Sequence, residues 1–127
     1  MSEIYENLKI MDEYLLFHYG RKSDVLDSKV QWPEVMSQAL DFAVRTPGYF
    51  SKNLVARGLD LGCAVGRSSF EMSRTCEEVI GLDFSHQFIA AANRLKNEGK
   101  MDYTRLDEGV ITTSLTAELP QGIDSSR

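Results

Sequence analysis

Two aspartates and a glycine-containing turn are the residues of this sequence whose spacing indicates chemistry. Asp60 lies just before the turn Gly62–Gly66, and Asp83 follows Gly62 by 21 residues. Glycine lets the backbone adopt positive φ and lets a ligand approach closely. An acid at the end of the following strand can accept hydrogen bonds from the hydroxyls of a ribose. The pattern therefore predicts a nucleoside-binding site.

The elements that must position these residues can be read from the flanking sequence. The apolar runs Leu59–Leu61 and Val79–Leu82 predict two buried parallel strands. A helix over residues 67–75 would connect them into one strand-helix-strand unit. Ser85 is a suitable N-cap for a further helix, and Gly99 is its expected C-terminal stop.

The spacing of the turn separates two classes of ligand. The dinucleotide fingerprint G-x-G-x-x-G needs a glycine at its third position, where this chain has Ala64, and the second glycine here is Gly66 at position five. A pyrophosphate favours a helix N-terminus with no acid nearby. Asp60 instead suits a ligand with a positive end, such as the sulfonium and ammonium groups of S-adenosylmethionine. The turn favours that ligand over NAD.

Three of these residues also have purely structural interpretations. Asp60 could hold the turn through backbone N–H groups, and Asp83 could cap the next helix, although Ser85 is better placed to do so. Cys63 is expected to be a small packing residue rather than a nucleophile.

The composition limits the partners. A net charge of -5 over 127 residues argues against nucleic acid as the main substrate. The sequence has neither an apolar run of roughly 18 residues nor a basic-then-apolar leader, so neither a membrane span nor a signal peptide is expected. Two histidines and two cysteines at unrelated spacings predict no zinc site. The expectation is a cytoplasmic protein with a small-molecule substrate.

The flanking regions predict further elements. Residues 1–50 are expected to form a helical cap, with an amphipathic helix over 3–19, a loop over 21–32 and a second helix from Pro33. The apolar face of the first helix would comprise Ile4, Leu8, Met11, Leu15 and Tyr19. Its end, near His18, would either pack or form a lid over the ligand. Strand formers on both sides of Asp107–Gly109 predict a β-hairpin over about 101–119.

Three stretches carry a resemblance to a known family: Glu13–Gly20, Asp60–Phe70, and Asp107–Gly109 followed by Thr112–Thr113. The central stretch resembles the nucleoside-binding half of class I S-adenosylmethionine-dependent methyltransferases. With its flanks, the chain is similar to the 4-mercaptohistidine N1-methyltransferases of ovothiol biosynthesis, in their stand-alone form.

The resemblance implies an α/β, Rossmann-like class I methyltransferase fold. Residues 51–127 would be the first part of the S-adenosylmethionine-binding domain, with the hairpin inserted after the second strand-helix unit. The class has a larger sheet and a longer chain, so we expect this sequence to be the N-terminal part of an enzyme and to be inactive alone. The acid that reads adenine is expected beyond Arg127.

The resemblance also implies roles for the turn. The residues that would surround the methionine end of the cofactor are Gly62, Cys63, Ala64 and Gly66. Asp60 would orient that end, Asp83 would hold the ribose and Phe84 would line the adenosine pocket. The implied reaction is methyl transfer to an imidazole nitrogen, which must present a lone pair. The catalytic base is unassigned, with His18, Tyr14 and Tyr19 as weak candidates.

Other functions remain open from the sequence. They are a methyltransferase with another small-molecule acceptor, a non-catalytic nucleoside-binding module, and an NAD-dependent dehydrogenase. A strand such as 56–61, lying mid-sheet in the full fold, would expose an unpaired edge in this chain, so we expect self-association through that edge.

Overall fold

The computed structural model describes residues 7–50 and 52–127. In chain order the elements are α1 (Leu8–Tyr19), α2 (Lys22–Val25), α3 (Glu34–Ala39), α4 (Phe42–Arg45), a 3-10 turn (Pro47–Tyr49), β1 (Val55–Leu61), α5 (Arg67–Met72), β2 (Cys76–Leu82), α6 (His86–Glu98), β3 (Lys100–Glu108) and β4 (Ile111–Glu118).

The predicted strand-helix-strand unit is present. Strands β1 and β2 pair in parallel, with Asp60 opposite Gly81 and Leu61 opposite Leu82. Both strands begin before the predicted apolar runs, while α5 ends at Met72 instead of Thr75. The helix is shorter because the Thr75 N–H bonds the Met72 carbonyl, which turns the chain into β2.

Two strand glycines let α5 lie close to the sheet. A Cβ atom on Gly58 would lie 2.7 Å from Met72 Cε, and one on Gly81 would lie 2.8 Å from Ser69 Oγ. Both distances are shorter than packed side chains allow. A side chain at Gly58 would require Met72 or Cys76 to move, and one at Gly81 would require Ser69 or Cys63 to move.

Helix α6 begins and ends as predicted. Ser85 Oγ accepts the Phe88 N–H at 3.2 Å, and Gly99 ends the helix with φ +78°. The helix buries Phe88, Ala91 and Leu95 in a core shared with α1 and the β3–β4 pair. The other buried members of this core are Met11, Leu15, Ala64, Val65, Tyr103 and Ala117.

The predicted hairpin is also present. Strands β3 and β4 pair antiparallel as a separate two-stranded sheet, with an irregular register between Leu106 and Glu108. Gly109 turns the chain with φ +58°. The hairpin packs against α1 and α6 and does not extend the β1–β2 sheet.

The N-terminal region differs from its prediction in three ways. Helix α1 begins at Leu8, and residues 3–6 of the predicted helix, with Ile4, lie outside the described residues. The predicted loop 21–32 contains the short helix α2. The single predicted second helix is two helices, α3 and α4, and within them Ala43 alone is buried among the described residues.

A side-chain hydrogen bond lies across the break between α3 and α4. Arg45 Nη1 donates to the Gln38 carbonyl at 3.0 Å and so satisfies a carbonyl near the end of α3. Asp41, expected to pair with Arg45, instead forms an ion pair with Lys22 at 3.3 Å.

The prediction that both strands are buried is wrong for one face of the sheet. Helix α5 covers the face that carries Gly58 and Gly81. On the opposite face the exposed fractions are 56% for Leu59, 72% for Leu61, 41% for Ile80 and 51% for Leu82. Apolar side chains favour burial, but no part of residues 7–50 and 52–127 covers this face of the sheet.

We expect the chain to self-associate through this sheet. Within the described part of the chain, β1 has a strand partner on one edge only, and free edges with apolar side chains recruit further strands. Leu61→Lys should lower the apparent molecular mass in concentration-dependent light scattering. Val110→Lys, at a hairpin position that is 95% exposed, is the matched control and should not. A monodisperse monomer at all concentrations would contradict the expectation.

Candidate functional site

In the turn between β1 and α5, every second residue from Gly62 to Gly66 has a left-handed backbone conformation. The φ angles are +75° at Gly62, +47° at Ala64 and +86° at Gly66. The N–H groups of Gly62 and Cys63 both bond the carbonyl of Leu82, at 2.7 and 3.0 Å. The turn is therefore folded back onto the C-terminal end of β2.

The carboxylate of Asp83 joins the turn to the start of α6. Its Oδ2 accepts the Ala64 N–H at 2.9 Å, and its Oδ1 accepts the Ser85 N–H at 2.8 Å. Ala64 is the one non-glycine residue with positive φ in residues 7–50 and 52–127, a conformation that costs about 1 kcal/mol or more. The bond from Asp83 helps to hold Ala64 in that conformation.

Asp60 points to the other side of β1. Its Oδ2 accepts the Ser69 hydroxyl at 2.7 Å and so connects the strand to α5. This bond is a structural role of the kind considered from the sequence, although the donor is a hydroxyl rather than a backbone N–H.

A cavity of about 190 Å³ lies between the turn, the end of β2 and the helices α1 and α6, which contribute Tyr14 and Phe88. It is lined by Tyr14, Gly62, Ala64, Asp83, Phe84 and Phe88. Four of the predicted ligand residues, Gly62, Ala64, Asp83 and Phe84, are therefore brought together. A Cβ on Gly62 would meet no atom within 4 Å, so the turn has open space beside it.

Cys63 and Gly66 are the two predicted residues of the turn that do not line the cavity beside Asp83. Both line a separate cavity of about 150 Å³ between α5, β2 and α6. Burial, assisted by the negative charges of Asp60 and Asp83, raises the pKa of the Cys63 thiol to about 11, so the thiol is protonated at neutral pH. A Cβ on Gly66 would lie 3.0 Å from Ala92 Cβ, so this glycine allows the turn to pack on α6.

A hydrogen bond and a cation–π contact connect the end of α1 to the turn and to the first residue of α5. Tyr19 Oη donates to the Val65 carbonyl at 2.8 Å, and the Arg67 guanidinium lies 5.4 Å from the centre of the Tyr19 ring. Arg67 also pairs with Glu71 at 3.3 Å. Burial raises the pKa of Tyr19 far above its usual range, which removes it as a base. The structure thus gives Tyr19 a role in holding the turn.

His18 lies among aromatic rings. Its ring centre is 5.6 Å from Tyr14, 6.2 Å from Phe17 and 5.3 Å from Phe42. These residues and Glu13 line a cavity of about 340 Å³. Phe17 and Phe42 are not among the site residues predicted from the sequence. The spacing of Tyr14, Phe17 and His18, which places their rings on one face of α1, was the available signal for this cavity.

The protonation state of His18 follows from these surroundings. Burial, with a smaller contribution from the positive charge of Arg67, lowers the pKa of His18 to about 4. The imidazole is therefore neutral at physiological pH. Its buried Nδ1 has no hydrogen-bond partner among the described residues.

The described residues contain no group of three or more His, Cys, Asp and Glu side chains that could hold a metal ion. None of their helices is long and apolar enough to cross a membrane.

Comparison with known proteins gives one family match. Residues 59–118 match the model of a family described as a methyltransferase domain. The matched range runs from β1 to the end of β4 and contains the turn and Asp83. No curated protein matches the chain. The match supports a class I S-adenosylmethionine-dependent methyltransferase domain and a mixed α/β, Rossmann-like fold.

The low pKa of His18 predicts a pH-dependent stability. Above pH 6.5 the residue is neutral in the folded and unfolded chains. As the pH falls from 6.5 to about 4, the unfolded chain gains a proton that folded His18 does not, so the free energy of unfolding should fall by up to roughly 3 kcal/mol. Urea denaturation at a series of pH values measures this slope.

His18→Phe should remove this part of the slope, while His86→Gln, at an exposed position, should leave it unchanged. Equal slopes in the wild type and His18→Phe would show that His18 does not titrate as its surroundings indicate.

Proposed function

We propose that this chain binds S-adenosylmethionine at the cavity beside Gly62 and Asp83, as part of a methyltransferase that N-methylates the imidazole of a 4-mercaptohistidine-type substrate. The observation that carries the donor half is the cavity formed where the turn meets Asp83, within the range that matches the methyltransferase domain. The acceptor half rests on the resemblance of the three stretches named above.

The residues around this cavity fit the proposed cofactor. Each Asp83 oxygen already accepts one N–H and retains a second lone pair that a ribose hydroxyl can use. Phe84 is largely exposed beside Asp83 and offers a ring face for the adenosine. Gly62 and Ala64 would lie against the methionine end, where the open space beside Gly62 admits it.

The other three predicted residues act through the shape of the turn in this proposal. Asp60 is bonded to Ser69, and its charge would favour the positive methionine end from within β1. Cys63 and Gly66 line the other cavity and would support the conformation of the turn rather than contact the adenosine.

The main contribution of the protein to this reaction would be to position the methyl acceptor. The cofactor supplies an activated methyl group on a sulfonium. The chain must hold the acceptor in line with that group and exclude water. A ring nitrogen can attack only when it presents a lone pair, so the acceptor must bind as a neutral or anionic imidazole. The neutral imidazole of His18 is compatible with this requirement.

We also propose that this chain alone binds the cofactor weakly and turns over poorly. In doubly wound sheets the ligand crevice lies where the strand order reverses, beside the first strand. The outer edge of β1 has no strand partner in the described ranges, so the crevice would have one wall. A cytoplasmic location belongs to the proposal, supported by two buried free cysteines.

A nucleoside-binding module without catalysis is the second candidate. The observation that favours it is the same open edge, together with the raised pKa of Tyr19, which removes one of three candidate bases.

The donor assignment can be measured by calorimetry with S-adenosylhomocysteine and with NAD. We expect binding of the former and none of the latter. Asp83→Ala should weaken S-adenosylhomocysteine binding by about 1–3 kcal/mol, because charge-assisted bonds to the ribose are lost. Unchanged affinity in this variant would contradict the role of Asp83.

Two further variants separate binding from folding. Asp83→Asn keeps one carbonyl oxygen for the Ala64 N–H but loses the charge and the acceptor for the Ser85 N–H, so it should bind weakly. Comparison of its melting temperature with that of Asp83→Ala shows how much of the lost binding comes from lost stability. Asp107→Ala, on the hairpin, is the control that should bind normally.

The acceptor assignment predicts a single product. Long incubation with millimolar S-adenosylmethionine should methylate 4-mercaptohistidine on a ring nitrogen and leave histidine unmodified. Fragmentation mass spectrometry locates the added methyl group. A methyl group on the sulfur, or equal modification of histidine, would contradict the proposed acceptor while leaving the donor assignment intact.

A further inference from the structure

The face of the β1–β2 sheet that lies away from α5 has no role so far. Gly58 and Gly81 face α5, and Asp60 bonds to it through Ser69. Side chains alternate between the two faces along a strand, so the residues next to these three point the other way. We call the following six residues the open sheet face: Arg57, Leu59 and Leu61 on β1, and Glu78, Ile80 and Leu82 on β2.

The open sheet face is a ladder of three matched pairs. The strand register places opposite each other Arg57 and Glu78, Leu59 and Ile80, and Leu61 and Leu82. The first pair is ionic, with 2.8 Å between Arg57 Nε and Glu78 Oε2. The other two pairs are apolar. The face therefore carries one charge of each sign near the start of the strands and only apolar side chains near their end.

This pattern is complementary to itself. When two such sheets pack face to face about a two-fold axis parallel to the strands, each β1 lies over β2 of the other copy. Arg57 then faces Glu78 of the second copy, Glu78 faces its Arg57, and the apolar pairs meet each other. An axis across the strands would instead set the charged pair of each copy against the leucines of the other, and burial of a charge against apolar surface is costly.

The size of the face limits how tight such a dimer can be. Two strands of seven residues cover roughly 24 by 10 Å, or about 240 Å² per copy, whereas stable interfaces bury about 800 Å² per partner. Val55 and Phe84, which are 43% and 64% exposed, extend the apolar surface at its two ends. The expected dimer is therefore weak, and a ligand held by both copies would strengthen it.

The end of the open sheet face adjoins the candidate cofactor cavity. Gly62 follows Leu61 directly, Asp83 follows Leu82 directly, and both Gly62 and Asp83 line that cavity. Because the axis is parallel to the strands, the strands of both copies end on the same side of the dimer. Leu61 and Leu82 of the second copy would then lie beside the cavity and close part of it.

We propose that a second copy of this chain covers the open sheet face, packed face to face about a two-fold axis parallel to the strands, and that it supplies a second wall for the cofactor cavity. The cavity is then complete only in the dimer, so cofactor binding and dimerisation strengthen each other. The interface rests on the register, exposure and charges of the sheet. The part that concerns the cofactor rests on the proposed function.

Analytical ultracentrifugation of the whole chain, from low micromolar to near-millimolar concentration, measures the dimer dissociation constant. We expect saturating S-adenosylhomocysteine to lower this constant at least about tenfold, because the ligand binds the dimer better than the monomer. NAD is the control ligand and should leave the constant unchanged. A chain that stays monomeric at every concentration, with and without S-adenosylhomocysteine, would overturn the proposal and leave the open sheet face to a different protein.

Charge reversal tests which residues face each other across the interface. Arg57→Glu and Glu78→Arg each put two like charges on one face, so each variant alone should dimerise at least about tenfold more weakly than the wild type. An equimolar mixture of the two should recover dimerisation, because the carboxylates of one variant lie opposite the cations of the other. The pair within each copy stays broken, so the recovery reports contacts between copies alone.

Arg94→Glu is the matched control for charge reversal. It breaks an exposed pair on α6, in which Arg94 Nε lies 3.1 Å from Glu98 Oε2, and it should dimerise like the wild type. Circular dichroism melting of each variant before mixing establishes that it is folded. A mixture of the two folded face variants that is as monomeric as its components would overturn the face-to-face arrangement.

Calorimetry with S-adenosylhomocysteine at a low and a high protein concentration separates this inference from the proposed function. An affinity that rises with protein concentration supports both. Equal affinities would overturn the second wall and leave the methyltransferase assignment intact. Absence of binding at both concentrations, with dimerisation recovered in the mixture, would overturn the proposed function and support the interface alone.

Discussion

One carboxylate holds the candidate site together. Asp83 bonds the N–H of Ala64 in the turn and the N–H of Ser85 at the start of α6. The adjacent Leu82 carbonyl accepts two further N–H groups from the turn. The turn therefore takes its shape from the end of β2 rather than from its own sequence alone. Without that carboxylate, the strained Ala64 and the N-terminal turn of α6 would each lose a partner.

The sequence predicts the elements whose signals are local. The glycine turn, the Ser85 N-cap, the Gly99 stop and the Asp107–Gly109 turn each act within a few residues, and the structure has an element boundary at each. The break between α3 and α4 is bridged by a bond from Arg45 to Gln38, which no local pattern reveals. The strand burial was predicted wrongly because apolar composition does not say what covers a face.

The site was predictable in part for the same reason. Spacing alone brings Gly62, Ala64, Asp83 and Phe84 to one cavity, because the ends of parallel strands meet at one edge of a sheet. The spacing does not show which way each residue of the turn faces, so it did not reveal that Cys63 and Gly66 line a different cavity. The cavity around His18 needs Phe42 from α4 beside α1, a tertiary contact between residues far apart in the chain.

The glycines at positions 58 and 81 also decide where this chain can change length. Met72 and Ser69 of α5 lie against these two glycines, so the helix packs close to both strands. The connection from Leu61 to Arg67 contains three residues with positive φ, and two of its N–H groups bond the Leu82 carbonyl, so an inserted residue would disturb these bonds. The hairpin end at Gly109 and Val110 is exposed and does not pack a helix against a sheet. Insertions, tags and grafted loops should therefore be tolerated at the hairpin end, while the turn before α5 has to keep its length.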